Sequence, residues 1–492
     1  MDFTKILKVT LPVAIQVCSL GCFANDSDIT QTTDNSRYII KLNDNLKFIS
    51  ENKARDFIEY KINSILELQK TNDFVNDSDM QIQKITNNLY TVELAHGSEK
   101  KLTSQNDDDI AYLVEDRVGV FKGSPSVDLP VNFTPDFQNS HSSQWNHFSG
   151  PAGINLETSA FSNDGAWSYW QNDNAAKRKA SQVVVGVLDT GIEKNSNLDN
   201  NVLPGWNFSA NNDDLTDQTR SNHGTHVAGI VAAHGPVVYG VAQGNTIVKP
   251  NVKILPVKIP GSNSKFFESN VLKSIYWAIG EPVAGAPVNQ NPVKVINTSF
   301  GIDTDYETNV TTCSPAVQDA IDKAMQKNVV IVSGAGNDNN SRLISPSSCK
   351  NTIKVASTGR TALRSYFSNY GSGITVAAPG GDQTLAKEDG ILSTVKETKP
   401  GNGFQYFQGT SMATPHVAGL VALIHALNDN EVELSVKEIT DLVTNNTHAF
   451  GYTIDPDYSC VGNKSCGSGI IDAKKTLDAF AAKFLTAQGE PN

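Results

Sequence analysis

The chain has 492 residues, 39% of them hydrophobic and 19% charged, with a formal net charge of −12. This composition fits a folded globular protein with more than one domain and excludes a disordered chain. The acidic balance argues against a nucleic-acid partner, because neutralising phosphates takes clustered Lys and Arg.

At the N-terminus, Lys5 and Lys8 precede an apolar stretch, Val9 to Leu20, far shorter than a membrane span. Cys22-Phe23-Ala24 offers a small-residue cleavage site, and the polar run Asn25-Asp26-Ser27-Asp28 follows at once. Residues 1–24 therefore have the pattern of a secretory signal peptide rather than of a buried helix. Ser19-Leu20-Gly21-Cys22 matches a lipid-attachment box only poorly. No other segment is apolar for long enough to cross a bilayer, so the expectation is an exported protein, extracellular or periplasmic, with no transmembrane span.

Three composition zones follow. Residues 25–121 carry strand-like runs at Arg37–Lys41 and Ile110–Val114, and between them a helix-like stretch from Lys53 to Gln69. They make a small α+β unit. Residues 122–135 form a linker containing Pro125, Pro130 and Pro135. Residues 136–492 alternate apolar runs with helical patterns. The runs are Gln182–Leu188, Val252–Ile259, Val293–Ser299, Val329–Ser333, Ile353–Ser357 and Ile374–Ala377. Helical spacing recurs in Asn270–Ile279 and Pro315–Gln326. Continuous apolar strands alternating with helices predict an α/β fold, a doubly wound parallel sheet flanked by helices. In such a sheet the site lies at the carboxyl ends of the strands.

Of six cysteines, Cys18 and Cys22 fall in the signal segment. Cys313, Cys349, Cys460 and Cys466 remain, an even count that in an exported chain implies two disulfides. The nearest-neighbour pairing is Cys313–Cys349 with Cys460–Cys466, and two other connectivities stay open. Metal binding is the weaker reading, since no two of these four form a CxxC pair.

Three motifs carry chemistry. Val185-Gly186-Val187-Leu188-Asp189-Thr190-Gly191 sets a carboxylate where a buried strand ends. Asn222-His223-Gly224-Thr225-His226 and Gly409-Thr410-Ser411-Met412-Ala413 complete the set. A serine hydroxyl needs an adjacent base to act as a nucleophile, and histidine suits that role near neutral pH. A carboxylate then fixes the imidazole's tautomer and stabilises its charged form. Asp189, His223 and Ser411 supply these parts in the order Asp, His, Ser, and the chain lacks the GxSxG elbow of the rival Ser, Asp, His order. Pro415, which a first helical turn tolerates, and the spacing of Val417, Leu420, Val421 and Ile424 predict that Ser411 opens a helix. Val332-Ser333-Gly334-Ala335-Gly336-Asn337 follows another buried strand and ends in an amide. Asn337 is the candidate oxyanion donor, together with the backbone N–H of Ser411.

These motifs resemble the signature blocks of the subtilase family, peptidase family S8, and most of all its secreted bacterial members made with a propeptide. The likeness runs over nearly all of residues 136–484. Pro292 to Gly301 resembles the substrate-binding block and Gly469-Ile470-Ile471-Asp472-Ala473 the close of the peptidase domain. The resemblance implies a serine endopeptidase working through an acyl-enzyme on protein or peptide substrates, as a monomer. No cofactor is then required for the chemistry. Ser299, Phe300 and Gly301 would form one wall of the primary pocket, and Gly334, Ala335 and Gly336 the other, with substrate added as a strand. The unit at 25–121 resembles a subtilase propeptide, an intramolecular inhibitor and folding aid, whose cut would fall between Val118 and Pro135.

Blander and rival readings stand beside these. His223 and His226 lie three apart, but no HExxH pattern completes a zinc site. His226 and His416 are expected to be structural. Asp213, Asp214 and Asp217 form an acidic loop of the kind that takes a structural calcium ion, although without the EF-hand spacing, and a solvated loop is the commoner outcome. Ala232 to Gly240 lacks the Asn-rich loop that often holds calcium in subtilases. Ser264-Lys265-Phe266 replaces a commonly glycine-rich edge strand, so Phe266 is expected to narrow or reshape a substrate subsite. The alternatives in function are an inactive subtilase-like binding protein and an esterase using the same three residues.

Overall fold

The computed structural model describes residues 36–68, 80–95, 102, 107–121, 143–157, 164–170, 181–243, 250–302 and 313–485. Residues 1–24 and 122–135, read from the sequence as a signal peptide and a linker, lie outside the described residues.

The parallel sheet is built from runs too apolar to face water on either side. Val183–Asp189, Val295–Thr298, Val330–Gly334 and Val376–Pro379 are buried along their whole length. The nine-stranded sheet runs in the order Thr447–His448, Ile470–Ile471, Val376–Pro379, Thr352–Thr358, Val330–Gly334, Val295–Thr298, Val183–Asp189, Val252–Lys258, Trp206–Asn207. All pairs are parallel except the edge pair Thr447–His448 with Ile470–Ile471. From Val183–Asp189 the chain lays down Trp206–Asn207 and then Val252–Lys258 on one side, then crosses back to Val295–Thr298 on the other side. That reversal opens a crevice at the carboxyl ends of the strands.

Helix His223–Ala232 and helix Thr410–Asn428 pack together on one face of the sheet, and Glu268–Ala278 with Pro315–Gln326 on the other. Local chemistry starts two of the flanking helices. Ser314 accepts from Val317 N ahead of Pro315, and Ser435 with Glu438 closes a capping box on Val436–Asn445. Contrary to the expectation that no segment after the N-terminus is apolar for long enough to cross a bilayer, helix Thr410–Asn428 is, but it is almost wholly buried in the protein and is a core helix.

The N-terminal unit is a four-stranded antiparallel sheet, ordered Met80–Thr86, Leu89–Leu94, Ser36–Leu42, Ile110–Glu115, with helix Glu51–Leu68 beside it. Ile40, Leu42, Ile58, Ile62, Val92 and Leu113 form its core. It docks on the helices of the large sheet. Lys41 Nζ meets Asp319 at 2.8 Å, and Asp116 accepts from Ser269 N and Ser269 Oγ at 2.8 Å each, at the start of helix Glu268–Ala278. Disulfides join Cys313 to Cys349 and Cys460 to Cys466, both with Cα atoms 4.9 Å apart.

Candidate active site

Four site segments follow or end strands of one sheet or begin helices, so secondary structure alone gathers them. Asp189 is the last residue of strand Val183–Asp189 and is buried. His223 opens helix His223–Ala232, with Asn222 at φ 55° turning the chain into it. The imidazole Nδ1 lies 2.7 Å from Asp189 Oδ1, which also accepts from Thr190 N at 2.7 Å. Gly224 makes this approach possible. A Cβ there would lie 2.2 Å from the Gly191 carbonyl oxygen and 3.1 Å from Asp189 Cβ.

A second carboxylate stands behind the pair. Asp217 is buried, accepts from Thr190 Oγ1 at 2.7 Å and takes both Thr219 N and Thr219 Oγ1 at 3.0 and 2.6 Å. Thr190 Oγ1 in turn accepts from Gly224 N at 3.0 Å, so Asp217 braces the helix start through Thr190. Burial pushes the His223 imidazole pKa down, but the charges of Asp189 and Asp217 outweigh it, and the pKa rests above its ordinary value.

Ser411 is the second residue of helix Thr410–Asn428, at the end where backbone N–H groups lack helical acceptors. Two loops hold its turn. Ser299 Oγ donates to the Ser411 carbonyl at 2.9 Å, and Ser411 Oγ donates to the Ser299 carbonyl at 3.0 Å. From the other side, Gly336 N donates to Thr410 Oγ1 at 3.3 Å. The two sequence-predicted walls, Ser299-Phe300-Gly301 and Gly334-Ala335-Gly336, therefore flank the nucleophile's turn. Asn337 Oδ1 accepts from Thr410 N at 2.9 Å and Thr410 Oγ1 at 3.0 Å. Its oxygen is thus committed to Thr410, the residue before Ser411, and Nδ2 is the donor end that remains.

The hydrogen-bonded line from Asp189 reaches His223, and the Ser411 hydroxyl is bonded elsewhere. The single Ser411 hydroxyl proton is directed at the Ser299 carbonyl, which competes with the imidazole as acceptor. Nucleophile–base contacts are often looser before substrate is in place.

Neither neighbouring histidine faces this chemistry. His226 stacks on Phe407 with ring centres 4.2 Å apart, its Nε2 3.0 Å from the carbonyls of Ile391 and Gln405. Burial pushes its pKa down to about 3. His416 Nδ1 donates to the Met412 carbonyl at 2.8 Å, leaving Nε2 to accept from Asn146 at 2.8 Å, and burial lowers its pKa to about 4.

The side chains of the acidic loop are bound within the protein. Asp217 faces inward to Thr190 and Thr219, Asp214 Oδ1 accepts from Thr216 N at 3.0 Å, and the buried Lys258 ammonium donates to the Thr216 carbonyl at 2.5 Å. Among the described residues no cluster of three or more His, Cys, Asp or Glu side chains converges as a metal site.

Sequence reasoning missed Asp217 as a positioning group, and it missed Asn369. Asn369 Nδ2 donates to the carbonyls of Ala335 and Arg342 at 3.1 and 2.9 Å, and its Oδ1 accepts from the amides of Asp338 and Asn340 at 2.9 and 3.2 Å. It thus fixes the loop that carries Asn337. The only sequence signal was an amide within Ser368-Asn369-Tyr370-Gly371, an ordinary turn composition.

The N-terminal unit reaches the site. Val118–Val120 pairs antiparallel with Lys265–Phe267, and Phe121 N donates to the Ser264 carbonyl at 2.9 Å. The Phe121 ring packs edge-on to His223 with centres 6.1 Å apart, and lies 5.3 and 5.1 Å from Phe266 and Phe300.

Comparison with known proteins gives a consistent set of matches. Residues 180–476 match the description of the Subtilase family. The chain is 32% identical over 370 residues to the extracellular basic protease of Dichelobacter nodosus, covering 66% of this chain. It is 33% identical over 368 residues to an extracellular protease of Xanthomonas campestris pv. campestris, covering 69% of this chain. The aligned part spans 56% of the length of each relative. Among solved structures, a protease from Pseudoalteromonas arctica aligns at 35% identity with a TM-score of 0.57, covering 71% of this chain and all (100%) of that one.

Proposed function

The chain belongs to the subtilase family, and we propose that it is an exported serine endopeptidase made as a self-processing zymogen. Asp189, His223 and Ser411 act as its triad. The observation that carries the reading is the 2.7 Å Asp189–His223 bond at the mouth of the sheet, with Ser411 at a helix start between two loops and Asn337 bonded to the adjoining Thr410.

When a peptide carbonyl enters between the walls, the Ser411 hydroxyl turns from the Ser299 carbonyl to His223 Nε2. His223 takes the proton as Oγ attacks, and Asp189 holds the imidazolium through Nδ1. The developing oxyanion is met by Asn337 Nδ2 and the Ser411 N–H, aided by the positive end of the helix. Protonated His223 then protonates the leaving amine. Water follows the same route in reverse and frees the acyl group.

The zymogen reading rests on residues 118–121. They lie on the edge strand as a substrate would and bring Phe121 against the base, so the unit at 36–121 blocks the cleft while attached. Asp116 caps helix Glu268–Ala278, whose own N-cap, Phe267, offers no side-chain hydrogen bond, which supports a part in folding as well. The signal-peptide pattern of residues 1–24, and relatives named as extracellular proteases, support export. The test is Ser411→Ala expressed as the full chain. We expect purified precursor to stay uncut on incubation while wild type matures. Maturation of purified Ser411→Ala at the wild-type rate would overturn self-processing.

A further inference from the structure

Residues 118–121 also report what the cleft accepts. In an extended strand successive side chains point to opposite faces. Val118 is 43% exposed, whereas Gly119 and Phe121, two apart, are buried against the peptidase. Phe121 enters an aromatic enclosure made by His223, Phe266 and Phe300. Gly119 pairs with Phe266 itself, and a Cβ there would lie 2.3, 2.6 and 2.9 Å from three atoms of the Phe266 ring.

A flexible side chain would give way, but this ring is held. It is 3% exposed, wedged at 5.3 Å against Phe121 and edge-on at 5.4 Å to Phe300. Retreat from a Cβ at 119 would break the aromatic contacts that seat residue 121. The two positions are therefore coupled through one side chain.

We propose that the edge-strand side of the cleft selects extended segments with glycine followed two residues later by a large aromatic residue. Phe266 sets the glycine requirement, and Phe266, Phe300 and the His223 ring set the aromatic one. The substrates are then glycine- and aromatic-rich exposed or unfolded protein segments. This inference rests on the protease reading above and goes on to the substrate class.

The experiment uses the mature enzyme, its active sites counted with a covalent phosphonate, on three internally quenched peptides. One copies residues 116–126. The second carries Ala for Gly119, the third Ala for Phe121. We expect kcat/KM to fall about tenfold or more for each variant peptide, as for a methyl forced into a filled site or an anchor ring removed. Phe266→Ala enzyme should cleave the Gly and Ala peptides within about threefold of each other, since the obstructing ring is gone. Equal cleavage of all three peptides by wild type overturns the inference and leaves the protease reading intact. An enzyme that cleaves none of them and takes no phosphonate overturns both. Should Phe266→Ala fail to fold, the wild-type comparison still decides.

Discussion

Gly224→Ala tests whether contact between the His223 helix and the Asp189 loop sets the catalytic geometry. The new Cβ would lie 2.2 Å from the Gly191 carbonyl oxygen. Carbon–oxygen contacts relax near about 3.3 Å, so the first turn must withdraw by about 1 Å. The obstacle is main chain, pinned next door by the 2.8 Å bond from Ile192 N to the Leu215 carbonyl, and cannot rotate away as a side chain would. A withdrawal of that size takes the Asp189–His223 contact from 2.7 Å to about 3.7 Å, beyond hydrogen-bonding range. Displacements of about 1 Å cost on the order of 100-fold in rate. The assay is hydrolysis of a peptide anilide with active sites titrated, so that unfolded protein does not enter kcat. The expected result is kcat reduced about 100-fold with KM little changed, because the substrate-binding walls sit on other loops. A titrated Gly224→Ala enzyme with wild-type kcat would refute the reasoning.

Asp217→Asn removes one of the two charges that raise the His223 pKa, so the acid limb of the kcat/KM–pH profile should move to lower pH; an unmoved limb, or one shifted upward, contradicts the electrostatic role. Asn337→Ala should lower kcat by about 10²–10³ with KM nearly unchanged, a magnitude measured on a subtilisin and carried over here as a member of the same family, and steady-state kinetics would expose an intact kcat as contrary evidence. Replacing both cysteines of the Cys313–Cys349 bridge, which spans 36 residues, should cost about 3.8 kcal/mol by loop-closure entropy, against about 2.2 kcal/mol for Cys460–Cys466, which spans 6. Urea unfolding ranks the two, and the reverse order would contradict the entropic account.

The parallel sheet was legible because strands buried on both faces must be apolar throughout, as in Val183–Asp189. Asp189 and Ser411 were legible because each sits where a pattern changes, at a strand's end and at a helix's start. The strands Met80–Thr86 and Leu89–Leu94 went unread, since the first carries Gln81, Gln83 and Lys84 and presents little apolar alternation. The antiparallel pair Ile391–Thr394 with Phe404–Phe407 lies in a segment for which the sequence suggested no element. Phe266 was legible as an obstruction in the edge strand, but what it obstructs, Gly119, is 147 positions earlier by chain number, and long-range pairing leaves no local trace. Asp217 was noticed only as part of an acidic loop, because its inward turn depends on Thr190 and Thr219 and not on its neighbours' charge. The direction of the Ser411 hydroxyl follows from a competing carbonyl that no motif records.

The proposed mechanism stands on Ser411 as the nucleophile activated by His223. Mature protein treated with a fluorophosphonate and mapped by peptide mass spectrometry measures this directly. A single adduct on Ser411 is expected, formed faster as pH rises through the His223 titration. An adduct on another residue, or none on protein already freed of its N-terminal unit, would contradict it.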